Sequence, residues 1–312
     1  MLAATIVDGR ITVDERPDPT PAALEVLVRV RAAGLNGADI LQKRGGYPPP
    51  PGVPADIPGL EIAGEVVATG PGVTRFSPGD RVMAVVGGAG QAELAVVHER
   101  TAMPVPDGVT WEQAGGFPEA FTTAHDALFT QCGLGPGEAV VVHGAAGGVG
   151  TAAVQLAVAV GARVTATVRN EQARASVAAL GAVVTAPEDF AGHGPFDVVL
   201  ELVGAPNMAA NLSSLAVGGR VAVIGVGAGS KFEIDLLALM GRRARIHGST
   251  LRARPLEGKA DAARAVEAHV LPLLASGRVT VPVCASYPLA EAAAAYDRFE
   301  VGAKFGKVVL LA

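Results

Sequence analysis

Hydrophobic residues follow different patterns in different parts of this chain. Up to about residue 117, short apolar segments alternate with polar positions; between Glu25 and Ala32, valines occupy every second place. This period of two is typical of half-exposed strands. Turn signals such as Pro71-Gly72 separate similar segments at 62–69, 81–86 and 92–97. The pattern predicts a compact antiparallel β-domain, such as a partly open barrel.

From about Pro118 to His269, strand-like apolar runs alternate with helix-like segments, which predicts a parallel sheet wrapped in helices. The predicted strands cover 139–142, 163–168, 183–185, 196–202, 220–225 and 245–248. From Val270 onward the chain returns to short proline-bounded strands and one helix, Ala290 to Phe299. We expect the closing strand, Phe305 to Leu311, to rejoin the first domain. Residues 1–117 and 270–312 would then form one domain and 118–269 the other, with an active cleft between them.

The turn after the first predicted parallel strand is rich in glycine. It contains Gly144, Gly147, Gly148 and Gly150. An apolar helical segment follows, and glycines at such a turn let the backbone approach a pyrophosphate at the helix N-terminus. Val149 lies in the same turn. Ala145 stands where the G-x-G-x-x-G pattern has its first glycine, so the match is near rather than complete. The turn predicts a dinucleotide site.

Two alternatives compete with a dinucleotide site. The segment 139–162 is almost uncharged and long enough for a transmembrane helix, although the glycine cluster and the polar Thr151 and Gln155 disfavour one. The other alternative is a βα turn that binds no ligand.

The residue after the second parallel strand indicates which dinucleotide binds. In a βαβ unit that binds NAD, an acidic residue about twenty positions beyond the glycines bonds the ribose 2′-hydroxyl, whereas an arginine suits a 2′-phosphate. Here the chain has Arg169, followed by Asn170. The predicted cofactor is therefore NADPH, with a solvated loop arginine as the alternative. Turns after the later strands are candidate walls of a nicotinamide pocket, or simply turns: Val203, Gly204, Gly225 and Ser249.

Composition narrows the possible partners. At 312 residues the chain has room for about two domains. Its formal net charge of -5 provides no cationic field, which argues against a nucleic-acid partner. The two cysteines, Cys132 and Cys284, cannot by themselves form a zinc site and show no disulfide framework, which favours a reducing cytoplasm. No secretion signal is visible at the N-terminus.

The stretch from Gly34 to Gly59 fits neither a strand nor an ordinary turn. Its sequence predicts a short helix that leads into a stiff proline loop. Long irregular loops on a rigid scaffold often carry substrate contacts, so we expect such contacts here.

Six motifs are spread over nearly the whole chain: Ala33-Gly-Leu-Asn-Gly-Ala-Asp39, Gly46-Tyr-Pro48, Pro58-Gly-Leu-Glu-Ile-Ala-Gly64, Gly79-Asp-Arg-Val82, Gly144-Ala-Ala-Gly-Gly-Val-Gly150 and Gly306-Lys-Val-Val-Leu310. Together they resemble the medium-chain dehydrogenase/reductase superfamily. Within that superfamily, the chain most resembles the zinc-free quinone oxidoreductases, especially the p53-inducible quinone oxidoreductase-like branch. The residues that carry this resemblance are Tyr47 with its prolines, Pro118-Glu119 and Gly248 to Arg254. The resemblance implies an α/β fold, with a GroES-like partly open β-barrel domain and a Rossmann domain with a doubly wound parallel sheet.

The zinc alcohol dehydrogenases of that superfamily have Gly-His-Glu where this chain has Gly59-Leu60-Glu61, and leucine cannot bind a metal. No cysteine precedes Cys132, so the cysteine ligand and the four-cysteine lobe of those enzymes are missing. We therefore expect no metal. Quinones and α,β-unsaturated carbonyls accept hydride without a Lewis acid, so the resemblance implies hydride transfer from NADPH to such a small molecule.

Residue roles follow from the resemblance. Asn36 and Thr123 would line the catalytic cleft, and Tyr47 would face substrate as proton donor or oxyanion partner. Alternatively, Asn36 caps a helix and Tyr47 only packs among prolines. The further cofactor residues implied are Thr250, Lys304, Phe305 and Gly306. In this chain Asn170 and Ala173 replace a serine and a lysine of the family, Lys304 replaces an asparagine, and Tyr296 replaces a histidine.

Two other functions stay open. An enoyl-thioester reductase would use the same cofactor and a longer pocket, with a basic patch for a carrier phosphate to which Arg242, Arg243 and Arg252 could contribute; surface charge explains these arginines equally well. A non-catalytic NADPH-binding protein is the second. We also expect a homodimer, because an apolar edge strand near Arg245 to Ser249 would otherwise be unpaired.

Overall fold

The computed structural model describes residues 1–312, and its contacts divide the chain into two compact units. The first unit comprises Met1–Thr122 and Leu251–Ala312, and the second comprises Thr123–Thr250. The second unit begins later and ends earlier than the nucleotide-binding domain predicted at 118–269. That functional boundary stays a prediction.

The chain forms fifteen strands and ten α-helices. The strands are β1 (Leu2–Val7), β2 (Arg10–Glu15), β3 (Glu25–Gly34), β4 (Glu61–Thr69), β5 (Arg81–Val85), β6 (Leu94–His98), β7 (Ala102–Pro104), β8 (Ala139–Val142), β9 (Arg163–Thr167), β10 (Val183–Thr185), β11 (Phe196–Glu201), β12 (Leu215–Val223), β13 (Arg245–Gly248), β14 (Val283–Pro288) and β15 (Lys307–Leu311). The helices are α1 (Gly37–Lys43), α2 (Trp111–Gly116), α3 (Pro118–His125), α4 (Gly148–Ala159), α5 (Glu171–Ala178), α6 (Met208–Ser213), α7 (Leu236–Arg242), α8 (Leu256–His269), α9 (Leu271–Ala275) and α10 (Ala292–Val301).

The first unit is built on a seven-stranded sheet. Its order is β14-β15-β3-β4-β5-β7, with β6 paired to β3, and only the β14–β15 pair is parallel. Every second residue of β3 from Val26 to Val30 is buried against β4, β5 and β6, as a strand with one face in a core requires. β15 pairs with β3, which confirms that the closing strand rejoins the first part of the chain.

The segment before β4 has the predicted form of a short helix and an irregular loop. The Asp39 carboxylate accepts the N–H of Asn36 at 2.8 Å, which satisfies one of the free amides at the start of α1. The helix ends at Lys43, and Gly45 has φ +77°. No helix or strand lies between α1 and β4.

The second unit contains a six-stranded parallel sheet in the order β10-β9-β8-β11-β12-β13. β8 is buried throughout, as expected for a central strand of a parallel sheet covered on both faces. The sheet confirms the predicted α/β class with a Rossmann-type parallel sheet.

The apolar segment 139–162 is divided into a strand, a turn and the twelve-residue helix α4. No helix of the chain is both long and apolar enough to cross a bilayer. The transmembrane alternative for this segment is therefore wrong.

One strand differs from the sequence prediction. β12 begins at Leu215, earlier than predicted, because Leu215 pairs with Phe196 ahead of a register shift. Gly218, with φ +85°, gives the strand a backbone conformation that other residues rarely adopt.

Candidate cofactor and substrate sites

The glycine turn leads directly from β8 into helix α4. Gly144 adopts φ +62°, and Gly147 is the N-cap of the helix. A Cβ atom at Gly150 would lie 2.5 Å from the Gly144 carbonyl oxygen, so only glycine lets the helix start against this turn. The first helical bond is donated by Thr151 to Gly147 O at 2.8 Å, which leaves the N–H groups of residues 148–150 without intrahelical acceptors. These amides at a helix N-terminus fit a pyrophosphate.

The turns after β8, β11 and β12 lie against one another. A Cβ atom at Gly144 would lie 3.5 Å from Val203 Cγ2. Gly204 has φ +122°, and a Cβ there would lie 2.5 Å from Gly229 O; a Cβ at Gly225 would collide with Leu202 O. Because the three strands are parallel neighbours, their carboxyl ends meet at one edge of the sheet. The structure therefore brings the predicted Gly144, Val203, Gly204 and Gly225 together.

A buried carboxylate holds the turn after β11. Glu201, the last residue of that strand, is fully buried, and its Oε1 accepts the N–H groups of Val203 and Gly204 at 2.7 Å each. Its Oε2 accepts a bond from Asn211 Nδ2 at 2.8 Å. Sequence reasoning missed Glu201. The available signal was an acidic residue at the end of an apolar strand, directly before a glycine turn.

His143 continues this buried network. Since Asn211 uses its amide nitrogen to donate to Glu201, its Oδ1 accepts from His143 Nε2 at 2.7 Å. His143 Nδ1 then accepts from the Thr167 hydroxyl at 3.1 Å. Burial lowers the pKa of His143, so the imidazole is neutral and its role is structural.

Arg169 follows β9 and is exposed, and it makes no hydrogen bond or ion pair within the chain. The Asn170 side chain caps helix α5 by accepting the Gln172 N–H at 3.2 Å. Arg174 donates through Nε to Val168 O at 3.1 Å, so its guanidinium is folded back onto the strand end. Of these two arginines, only Arg169 presents all of its donors to a ligand.

The remaining predicted residues of the second unit lie on α3 and just after β13. Thr123 is buried on α3, and Thr250 is exposed after β13. Ser249 Oγ donates to Asp126 Oδ2 at 3.2 Å. Asp126 begins the π-helical segment Asp126–Gln131, a type of distortion that is frequent at functional sites.

In the first unit, Asn36 belongs to a buried ionic cluster with Glu61 and Lys307. The Lys307 ammonium donates to Glu61 Oε1 at 2.5 Å, to Asn36 Oδ1 at 2.7 Å and to Leu35 O at 2.8 Å. Asn36 Nδ2 donates to the same Glu61 oxygen at 2.9 Å. Every hydrogen of the ammonium group therefore has an acceptor. Sequence reasoning missed Lys307 as a site residue, although a lysine inside an apolar closing strand was a signal.

Asp39 and Leu60 lie between Asn36 and Glu61 in the sequence. Leu60 is buried, and it stands where the zinc alcohol dehydrogenases of the superfamily have a histidine. Asp39 is fully buried, and burial raises its pKa to about 6 even though bonds from the Asn36 and Gly59 N–H groups favour the carboxylate. No group of three or more His, Cys, Asp or Glu side chains is placed to hold a metal ion.

Tyr47 lies on the proline loop, half-buried, with the Arg252 guanidinium 4.9 Å from the centre of its ring. Burial, and secondly the Glu119 carboxylate, raise the pKa of Tyr47, and Arg252 opposes them. Its hydroxyl has no hydrogen-bond partner in the chain. The phenol is thus protonated at neutral pH and able to donate to a ligand.

The predicted Lys304, Phe305 and Gly306 lie just before β15. Burial, followed by repulsion from Lys307, lowers the pKa of Lys304 to about 7. Gly306 has φ +88°, and a Cβ atom there would collide with the Pro282 carbonyl oxygen. Phe305 is half-buried.

Known proteins resemble this chain over most of its length. The family model of the alcohol dehydrogenase GroES-like domain matches residues 22–130, and that of the zinc-binding dehydrogenases matches residues 148–268. The quinone oxidoreductase of Rattus norvegicus is 32% identical over 306 residues, covering 94% of this chain and 91% of the rat protein. The chain belongs to the medium-chain dehydrogenase/reductase superfamily. The resemblance inferred from the motifs is thereby confirmed.

Two further comparisons bear on the site. A mycobacterial protein solved in complex with NADPH is 29% identical, has a TM-score of 0.89 and is matched over 100% of both chains. Part of erythronolide synthase EryA2 of Saccharopolyspora erythraea is 49% identical over 143 residues, which is 46% of this chain and 4% of that protein.

Tyr296 stands where the sequence comparison with the superfamily placed a histidine. It is buried, and its hydroxyl donates to Gln91 Oε1 at 2.8 Å. Burial keeps its pKa well above its usual value. Its hydroxyl is therefore committed to the core of the first unit.

Proposed function

We propose that this chain is an NADPH-dependent reductase of quinones and related α,β-unsaturated carbonyls that works without a metal. Its superfamily membership makes it an oxidoreductase, and the quinone oxidoreductases among its relatives support the acceptor class. The observation that carries the proposal is the Lys307 ammonium bonded to Glu61 and Asn36, next to Leu60. A cation from the protein already neutralises the buried Glu61 carboxylate, so this donor set offers no place for zinc.

The second unit supports NADPH as the cofactor, and the mycobacterial neighbour was solved with that dinucleotide. The amides of residues 148–150 would hold the pyrophosphate, and Arg169 would hold the 2′-phosphate. The turns at Val203, Gly204 and Gly225 would form the wall next to the nicotinamide, with Ser249 and Thr250 of the same unit as further contacts. Bound NADPH supplies a hydride from the nicotinamide C4.

The acceptor then needs one proton. Quinone, NADPH and one proton would give hydroquinone and NADP⁺, with both electrons carried by the transferred hydride. Tyr47 is the proposed proton donor, because its phenol is protonated and unpaired; solvent would return the proton to it. Asn36 has its amide oxygen and nitrogen engaged by Lys307 and Glu61, which suits a side chain that shapes the acceptor site.

The test is NADPH oxidation in metal-free buffer with a chelator, against ortho- and para-quinones and a crotonyl thioester. We expect saturable turnover of quinones that survives chelation, and a Tyr47→Phe variant that loses about 10²-fold in kcat with little change in NADPH affinity. Loss of turnover in chelator, with recovery on adding zinc, would overturn the metal-free proposal. Undiminished kcat in Tyr47→Phe would remove the proton-donor role.

An enoyl-thioester reductase is the second candidate. The observation that favours it is the similarity to part of erythronolide synthase EryA2. Its suggested basic patch is weakened, because Arg252 is buried and Arg242 donates to the Ser213 carbonyl at 2.6 Å. Turnover of the crotonyl thioester alone would favour this function, and NADPH binding without turnover of any acceptor would indicate a non-catalytic protein.

The proposed assembly is a homodimer in the cytoplasm. β13 ends the parallel sheet, and exposed apolar side chains on the neighbouring α7 include Leu236, Leu237 and Met240. Both cysteines are unpaired, which supports a reducing compartment. Light scattering that shows a monomer at micromolar concentration would remove the dimer.

A further inference from the structure

Arg252 is a buried cation in the first unit. It comes directly after Leu251, where the chain returns to that unit, and only 4% of it is exposed. A buried guanidinium is costly unless its donors are bonded. The groups that accept its hydrogen bonds therefore show which part of the structure Arg252 holds in place.

All of these contacts go to the surroundings of the proline loop. Arg252 donates through Nη1 to Tyr47 O at 2.8 Å, through Nε to Gly87 O at 2.8 Å and through Nη2 to Gln42 Oε1 at 2.6 Å. Gln42 in turn donates to Ala55 O at 3.0 Å, at the far end of the loop. Arg252 thus links helix α1, the start of the loop and the turn after β5 directly, and the end of the loop through Gln42.

The loop meets the turn after β5 at a glycine, Gly88. A Cβ atom at Gly88 would lie 2.7 Å from Val53 Cγ1 and 3.2 Å from Arg252 Nη2. The glycine therefore allows the loop and the guanidinium to meet. The same guanidinium stands 4.9 Å from the Tyr47 ring centre, within range of a cation–π interaction.

We propose that Arg252 is a positioning residue that fixes both the backbone and the ring of Tyr47 for reaction with the acceptor. The proposal rests on the proposed role of Tyr47 as proton donor. Only a planar guanidinium fits this role. A lysine ammonium could not donate to the three acceptors, which lie in different directions, and also face the Tyr47 ring. The charged groups that act on the phenol are Arg252 and Glu119.

A double-mutant cycle tests this role. We expect Arg252→Met to lower kcat/KM for the quinone by about 10- to 100-fold, because a misplaced reacting group is costly, while NADPH affinity stays within about twofold. Arg252→Lys should retain only slightly more of the wild-type kcat/KM than Arg252→Met does. In the Tyr47→Phe background, Arg252→Met should have little further effect. Equal losses in the two backgrounds would overturn the proposal. Arg278→Met, at an exposed arginine without a partner, is the matched control.

A second measurement separates this proposal from the proposed function. The phenolate absorbance of Tyr47, taken as the difference between wild type and Tyr47→Phe, is titrated with and without Arg252→Met. Removing the cation should move that titration to higher pH. If Tyr47→Phe leaves turnover intact, the proton-donor role fails, and this titration alone decides whether Arg252 positions Tyr47. An unchanged titration would overturn the proposal. If Arg252→Met does not fold, Arg252→Gln replaces it in both experiments, because glutamine also removes the cation.

Discussion

The Lys307 ammonium lies 2.5 Å from the Glu61 carboxylate, with 3% and 0% of the two side chains exposed. Glu61 also accepts the Glu119 N–H through its other oxygen at 2.8 Å. The pair is therefore desolvated, and its charges depend on each other and on the surrounding hydrogen bonds.

Replacing Lys307 by methionine should destabilise the protein by about 3–5 kcal/mol, because Glu61 is left buried without a counter-charge. The free energy of unfolding in urea measures this. Lys231→Met, at an exposed lysine without a partner, should change it by less than about 0.5 kcal/mol. The double variant Glu61→Gln/Lys307→Met should regain part of the loss. A Lys307→Met variant as stable as the Lys231→Met control would show that the pair contributes nothing.

Asp39 should make stability depend on pH with an unusual sign. Its pKa is raised to about 6 in the folded protein, against about 3.9 in an unfolded chain. Between these values the folded state binds the proton and the unfolded state does not, so the contribution of Asp39 to stability falls as pH rises from about 4 to 6. The expected loss is about 3 kcal/mol.

The measurement is the difference in unfolding free energy between wild type and Asp39→Asn across this range. Carboxylates with lowered pKa values, such as Glu99 and Glu138, give the opposite slope in both proteins and cancel in the difference. Asp107→Asn, at an exposed aspartate, is the control and should leave the slope unchanged. A difference that rises with pH would contradict a protonated Asp39.

Patterns among neighbouring residues predicted the fold well. They could not predict which polar side chains from distant parts of the chain contact one another. The glycine turn, β8 and the start of α4 are encoded by neighbouring residues, and the predicted strand at 139–142 matches β8. In contrast, Arg252 and Tyr47 are 205 positions apart, and Lys307 and Glu61 are 246 apart. Sequence spacing carries no information on such pairs. From the sequence, Arg252 can be assigned only to a basic patch or to surface charge, and Asn36 only to the catalytic cleft or to a helix cap.

The two cysteines should react at very different rates. Burial raises the pKa of the Cys132 thiol to about 11, so almost no thiolate forms at neutral pH, whereas Cys284 is only half-buried. A thiol reagent at pH 8 should therefore label Cys284 first, and Cys132 only when the chain unfolds. Mass spectrometry of the labelled peptides measures this. In Cys284→Ser, labelling should follow global unfolding; fast labelling of that variant would show that the region around Cys132 opens locally.

Arg169 should determine the preference for NADPH over NADH. Its exposed guanidinium has no partner in the chain, so a 2′-phosphate would gain charge-assisted hydrogen bonds without breaking existing ones. Arg169→Ala should weaken NADPH binding by about 1.5–3 kcal/mol and leave NADH binding almost unchanged, as measured by fluorescence titration of each dinucleotide. Arg174→Ala is the matched control: its guanidinium is held by Val168 O and lies 3.8 Å from Glu171, so the NADPH affinity should change much less. Equal weakening of both dinucleotides by Arg169→Ala would mean that the arginine supports the fold of the turn and does not bind the phosphate.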